Sequence, residues 1–217
     1  SGVDLPGEIR PAFPPNTEYY DRVYGRGHWT SSVALNLAIG QGENAQTLMN
    51  MVRFYAAIAN GGHLLTPRIV EGPNTPELNL DVPESTFAEM RRALIAVVEQ
   101  GTARGARLAS IRLAGKTGTA QNPHGPDHGW FIGFAPADTP RVVVGGILEF
   151  GLHGTAMAPI VARVIERYLL GPDSTRGARP EIVPLAIPED STPQPEELDT
   201  LRPPRRTPLP PRRRSGR

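Results

Sequence analysis

Between residues 110 and 150 the chain alternates extended apolar runs with connections too short to hold a crossover. The runs at 110–120, 129–136 and 141–150 are joined by Asn122 to Asp127, "NPHGPD", and by Asp138-Thr139-Pro140. Gly, Pro, Asn and Asp in such clusters are turn chemistry. Parallel neighbours would need a connection of about a dozen residues or more. The spacing therefore predicts an antiparallel meander of three strands. Its last run, "RVVVGGILEF", is nearly continuous in apolar residues, as strands often are.

Helical patterns flank this meander. From Asn44 to Asn60, Leu48, Met51, Val52, Tyr55, Ala56 and Ile58 recur at helical spacing, with Asn44 as the expected N-cap and Asn60-Gly61-Gly62 as the stop. "HLLTPRIV" follows as a short strand, and Pro67 places it at an edge or an irregular end. Glu84 to Gln100 is a second amphipathic helix with Phe87, Met90, Leu94, Val97 and Val98 on one face, ended by Gly101-Thr102-Ala103. Thr155 to Leu170 is a third, stopped by Gly171-Pro172. Residues 1–30 carry prolines, glycines and aromatics without period and read as an irregular lead-in. The expected organisation is one domain over 1–171 and a disordered Pro/Arg-rich tail over 172–217. After Thr200 that tail has seven arginines and no acidic residue, which could touch an anionic polymer or lipid; a solvated tail is the simpler reading.

The net charge of +1 gives no field to draw the whole molecule to nucleic acid. Cysteine is absent, which excludes disulfides, thiol nucleophiles and thiolate metal sites. No apolar run approaches the roughly 18 residues of a membrane span. The opening "SGVDLPGEIRPAFPP" reads as the middle of a longer protein, so targeting and anchoring parts are expected outside this chain.

Lys116 is the only lysine among 23 Lys and Arg residues. It stands in "LAGKTGTAQ", residues 113–121, inside a Gly/Thr frame. Composition that avoids lysine everywhere else suggests that this position needs an ammonium: a compact charge with three donors, suited to a carboxylate or to a hydroxyl whose proton must move. On a strand, Lys116 and Gly118 would point one way, Thr117 and Thr119 the other. Gly118 would let a substrate backbone lie close. Threonine hydroxyls add donors for an anion, and an exposed N–H can face a developing oxyanion.

Lys-Thr-Gly is one of three motifs of penicillin-binding proteins and class A β-lactamases. Here "GKTGTAQ", "HGWFIGFAP", "RVVVGGILEFG" and "GTAMAPIVARVIERYL" follow in order, and "SGVDLPGE" and "NLAIGQGENAQTLMNMVRFYAAIANGG" precede them. Over about residues 1–171 the chain resembles the C-terminal part of the transpeptidase domain of class B penicillin-binding proteins, close to the elongation-type, penicillin-binding protein 2-like subgroup. The resemblance implies an α+β fold: an antiparallel sheet flanked by helices, the penicillin-recognising serine-transferase fold, here incomplete. It implies a peptidoglycan D,D-transpeptidase that works through an acyl-serine and is blocked by β-lactams. Lys116 would hold the substrate carboxylate or tune the nucleophile's proton network. Thr117 and Thr119 would bond the carboxylate of D-Ala-D-Ala or of a β-lactam, and the Thr119 N–H would be half of the oxyanion hole. Lys116, Thr117, Gly118, Thr119 and Ala120 would bind the stem peptide by strand addition. The resemblance implies no cofactor and no metal. It places the parent at the inner membrane, facing the periplasm, with a membrane glycan polymerase as partner.

Two family motifs are missing. Three residues before Lys116 stands Leu113, so there is no Ser-x-x-Lys, and no asparagine has serine two places earlier. An acyl-enzyme needs a nucleophile with an adjacent base, so the chain alone is expected not to label with a fluorescent penicillin. Truncation is the simplest explanation. It would leave apolar faces without partners, so poor solubility or a partly molten state is expected. The alternatives are a non-catalytic binding fragment or pseudoenzyme, and a β-lactamase or β-lactam-sensor remnant. His124, Asp127 and His128 have metal-like spacing but sit in a Gly/Pro turn without a third cluster, so a solvated loop beside the substrate groove is the stronger reading. Trp130 and Phe131 read as core and groove wall. Gly40-Gln41-Gly42 lacks the lysine of a phosphate loop and reads as a turn. Gly151-Leu152-His153-Gly154 is explained by a helix start, although such a start can hold an anion. Nothing in the sequence joins His28 to Ser31-Ser32 as base and nucleophile.

Overall fold

In a computed structural model, residues 2–72 and 76–171 are described. They belong to a unit spanning 1–180; a second unit, 181–217, and the tail expected at 172–217 lie outside the described residues. Five helices and five strands appear among the described residues: α1 Thr17–Tyr24, α2 Ser32–Ala38, α3 Leu48–Ala59, β1 His63–Leu65, β2 Pro76–Asn79, α4 Glu84–Glu99, β3 Ala114–Ala120, β4 His128–Ala135, β5 Val142–Leu148 and α5 Gly154–Leu170.

The meander forms as the turn chemistry dictates. Its order is β3-β4-β5, antiparallel throughout, with Lys116 opposite Ile132 and Ile132 opposite Gly145. Adjacent glycines on β5 show what covers each face. A Cβ on Gly145 would meet Val52 and Leu48 of α3, and a Cβ on Gly146 would meet Met157 of α5. Successive strand residues point to opposite faces, so α3 and α5 sandwich the sheet. The larger core lies on the α5 side, where Leu113, Phe131 and Ala135 pack with Val98, Val161 and Ile165. Ala114 and Phe134 pack with Ala59, Ile95 and Ala137 on the other side. Phe131 and Phe134 are fully buried, and such side chains contribute roughly 1.5–3 kcal/mol each.

Three expectations need correction, and one further helix had no expectation at all. The lead-in is not wholly irregular: α1 forms, with Asn16 Oδ1 accepting from the Tyr19 N–H at 3.2 Å. A second unforeseen helix, α2, follows. The N-cap of α3 is Thr47, not Asn44; Thr47 Oγ1 accepts from the Asn50 N–H at 3.1 Å. The strand read over 63–70 keeps only His63–Leu65 and gains an unexpected antiparallel partner in β2. The other helices begin and end within a residue or so of their sequence signals.

Candidate functional site: the outer strand β3

Lys116 sits on β3, an outer strand of the sheet, and its side chain is exposed. Cross-strand neighbours share a face. Its partner Ile132 lies against the would-be Cβ of Gly145, so Lys116 stands on the α3 side. Thr117 pairs with Phe131 and stands on the α5 side. The alternation expected for Lys-Thr-Gly-Thr is thus present. Lys116 Nζ donates to the Thr117 carbonyl at 2.8 Å. The Thr117 hydroxyl lies 2.7 Å from that of Thr102, just beyond α4. Thr119 is exposed, and Gly118 and Ala120 are half-buried.

Three glycines let this strand exist. A Cβ on Gly115 would stand 2.6 Å from Phe131 Cζ and 2.7 Å from the Ile132 carbonyl oxygen. A Cβ on Gly154, the first residue of α5, would stand 2.2 Å from the Trp130 oxygen and 2.5 Å from the Gly118 oxygen. The start of α5 therefore packs directly on the β3 and β4 backbones. Gly118 is different: a Cβ there would meet only Trp130 Cβ, at 3.3 Å. Its bare face is open enough to admit another backbone.

The outer edge of β3 is engaged at one end by Gln41, which lies between Gly40 at φ 80° and Gly42 at φ 67°. Gln41 Nε2 donates to the Thr119 carbonyl at 2.9 Å, and Gln41 Oε1 accepts from the Gln121 N–H at 3.4 Å. Nothing local in the sequence pairs residues 78 apart. The Gly-Gln-Gly frame is the only signal in the sequence, and by itself it implies no more than a turn. Thr102 likewise carries only a helix-end signal in the sequence.

The other sequence candidates do not gather into a second site. The Asp127 carboxylate accepts from the Asn122 N–H at 3.2 Å and ties the turn, while His128 Nδ1 accepts from the Phe150 N–H at 3.1 Å and ties the start of β4 to the segment after β5. No group of three His, Asp or Glu among the described residues could hold a metal ion. The Ser32 hydroxyl meets that of Thr30 at 2.7 Å. Two shallow depressions are lined mainly by α4 residues and by Ala137 to Arg141, and no residue of β3 lines either. The candidate site is an exposed strand edge, suited to an extended ligand.

A sheet sandwiched between helices, with Lys-Thr-Gly-Thr on an outer strand backed by a helix N-terminus, defines the C-terminal part of a penicillin-recognising transferase fold. The comparisons agree. The chain belongs to the penicillin-binding protein transpeptidase domain family, whose model matches residues 2–166. It is 32% identical over 196 residues to the peptidoglycan D,D-transpeptidase MrdA of Acinetobacter baumannii, covering 78% of this chain and 29% of that protein. It is similar to penicillin-binding protein 2 of Helicobacter pylori, with TM-score 0.66 and 29% identity over 78% of this chain and 33% of that one. That protein has also been solved in a complex with MreC. Penicillin-binding protein A of Mycobacterium tuberculosis, solved as an imipenem acyl-enzyme, matches with TM-score 0.56 and 29% identity, over 62% of this chain and 33% of that one. The chain spans about 29% of the length of the curated relative.

Proposed function

We propose that this chain supplies the Lys-Thr-Gly-Thr wall of a peptidoglycan D,D-transpeptidase. The observation that carries the reading is Lys116 exposed on an outer strand whose neighbour Gly118 leaves its face bare. A stem peptide ending in D-Ala-D-Ala adds to the β3 edge. The ammonium of Lys116 faces its carboxylate or the proton network of the attacking hydroxyl. Thr117 and Thr119 hydroxyls assist with that carboxylate, which requires Thr117 to leave or share its bond with Thr102. The Thr119 N–H stabilises the oxyanion as the tetrahedral centre forms.

The attacking serine and its base come from a segment that carries Ser-x-x-Lys, and the second-motif serine from a Ser-x-Asn segment; this chain contains neither. Attack on the penultimate D-Ala carbonyl forms the acyl-serine and expels D-alanine, which takes a proton. An amine of a second stem then displaces the serine and closes the cross-link. β-Lactams acylate the same serine. In this reading the enzyme acts at the outer face of the inner membrane beside a membrane glycan polymerase. No helix among the described residues is long and apolar enough to cross a membrane.

The test joins this chain to a segment bearing both missing motifs and adds a fluorescent penicillin. The joined protein is expected to carry a label that survives denaturation. The 217-residue chain alone, and the joined protein with Lys116→Ala, are expected to lack it. A label retained in full by Lys116→Ala, or present on the chain alone, defeats the proposal.

A further inference from the structure

We infer that Gln41 is a positioning residue that ends the usable edge of β3, so that an added peptide pairs with Thr117 and Thr119 and goes no further. The inference rests on the transpeptidase reading for the identity of the peptide. The hold on the strand stands on geometry alone.

The carboxamide gives one donor to the Thr119 carbonyl and one acceptor to the Gln121 N–H. A residue of a parallel strand lying opposite Ala120 would make this same pair of bonds, to the carbonyl before and the amide after. One side chain therefore stands in for one residue of a neighbouring strand. Because the carbonyl of 119 and the N–H of 121 face outward, two-residue alternation turns the N–H and C=O of Thr117 outward as well. Lys116 Nζ donating to the Thr117 carbonyl agrees with this. The outer edge thus offers Thr117, then the Thr119 N–H and the second lone pair of its carbonyl. At Gln121 the edge is closed.

The stop is itself anchored. The Gln41 N–H donates to the Asn36 carbonyl at 2.9 Å. Two residues on, the Glu43 carboxylate accepts from Tyr24 at 2.5 Å and from Tyr20 at 3.2 Å. Ala45 pairs with Ala12 through bonds of 2.7 and 2.9 Å. The lead-in and α1 thus fix the loop, and the loop fixes the strand end. An exposed edge with nothing to set register lets a paired strand slip. A slip by two residues would carry the scissile carbonyl past the Thr119 N–H.

The experiment uses the ¹⁵N-labelled chain joined to the segment that bears both missing motifs, its Gln41→Ala and Gln41→Glu variants, and acetylated Lys-D-Ala-D-Ala as probe. Amide exchange at Gln121 is expected to rise several-fold in Gln41→Ala. It should rise in Gln41→Glu as well, because a carboxylate has no donor for the Thr119 carbonyl and is repelled by it. In the wild type the peptide is expected to shift Thr117 and Thr119 but not Gln121; in Gln41→Ala it should shift Gln121 too. Unchanged Gln121 exchange in Gln41→Ala overturns the inference. So does a peptide that shifts Gln121, or speeds its exchange, in the wild type. A peptide silent along 115–121 in every protein sinks the transpeptidase reading and the stop together. Failure of the stop alone differs, because Thr117 and Thr119 still respond.

Discussion

The hydroxyls of Thr102 and Thr117 lie 2.7 Å apart, joining the segment after α4 to the middle of β3. Side-chain hydrogen bonds of this kind contribute about 0.5–1.5 kcal/mol net, and the exposure of Thr102 puts this one at the low end. Thr102→Val and Thr117→Val are each expected to cost about 0.5–1 kcal/mol in denaturant melts. The double variant should cost little more than either alone. Strictly additive losses would mean that the two hydroxyls do not interact.

Gly115 shows how little room β3 has on its α5 face. Gly115→Ala sets a Cβ 2.6 Å from the Phe131 ring and 2.7 Å from the Ile132 carbonyl oxygen. Phe131 is fully buried and cannot swing away. Overpacking of this sort costs about 1–3 kcal/mol. Circular dichroism melts of the variant should show at least that loss; a melt like that of the wild type would mean that the sheet is looser than its geometry implies.

The meander was legible because its information is local: turn residues of fixed chemistry between extended runs. The faces of α3 and α5 were legible for the same reason. What escaped depends on distant partners. In "TEYYDRVY" the three tyrosines are middling helix formers and the segment is one short stretch after two prolines. It is helical because Asn16 caps it and Tyr20, only 4% exposed, packs on Trp29. Asn44 and Thr47 are both good cap residues. Asn44 instead accepts from the Gln46 side chain at 2.8 Å, while Thr47 sits extended at φ −83°, ψ 152° and caps α3. In the site, Lys116 could be found by its rarity. Gln41 could not, because only the folded chain brings it to Thr119.

The Tyr24–Glu43 bond sets a pH limit on the loop that carries Gln41. Its hydrogen bond to the Glu43 carboxylate, then desolvation and the nearby charge, push the Tyr24 hydroxyl from 10.0 to about 12. Burial, and then Glu43, raise Tyr20 as well. The folded values lie above the unfolded ones, so the protonated phenols favour the folded state. That contribution is complete below pH 10.0 and is lost as pH rises towards about 12. Tyrosinate absorbance should show Tyr24 ionising late. In Tyr24→Phe the late step should shrink by one phenol, leaving that of Tyr20. If the wild-type and Tyr24→Phe titrations coincide, Tyr24 does not hold Glu43.

Gly118→Ala separates the fold from the proposed function. The added methyl would face only Trp130 Cβ, at 3.3 Å, so a shift of a few tenths of an ångström accommodates it. Alanine also gains about 0.5–1 kcal/mol over glycine within a strand. The two effects nearly cancel, and the melting midpoint should stay close to wild type, unlike that of Gly115→Ala. A methyl at 118 nevertheless stands beside Lys116, on the bare face that the proposed peptide must approach. Penicillin labelling of the chain joined to its nucleophile segment is expected to slow by tenfold or more, about 1.4 kcal/mol in the barrier. Loss of stability as large as that of Gly115→Ala would refute the claim of space. Unchanged labelling with an unchanged melt would show that the ligand does not lie against Gly118.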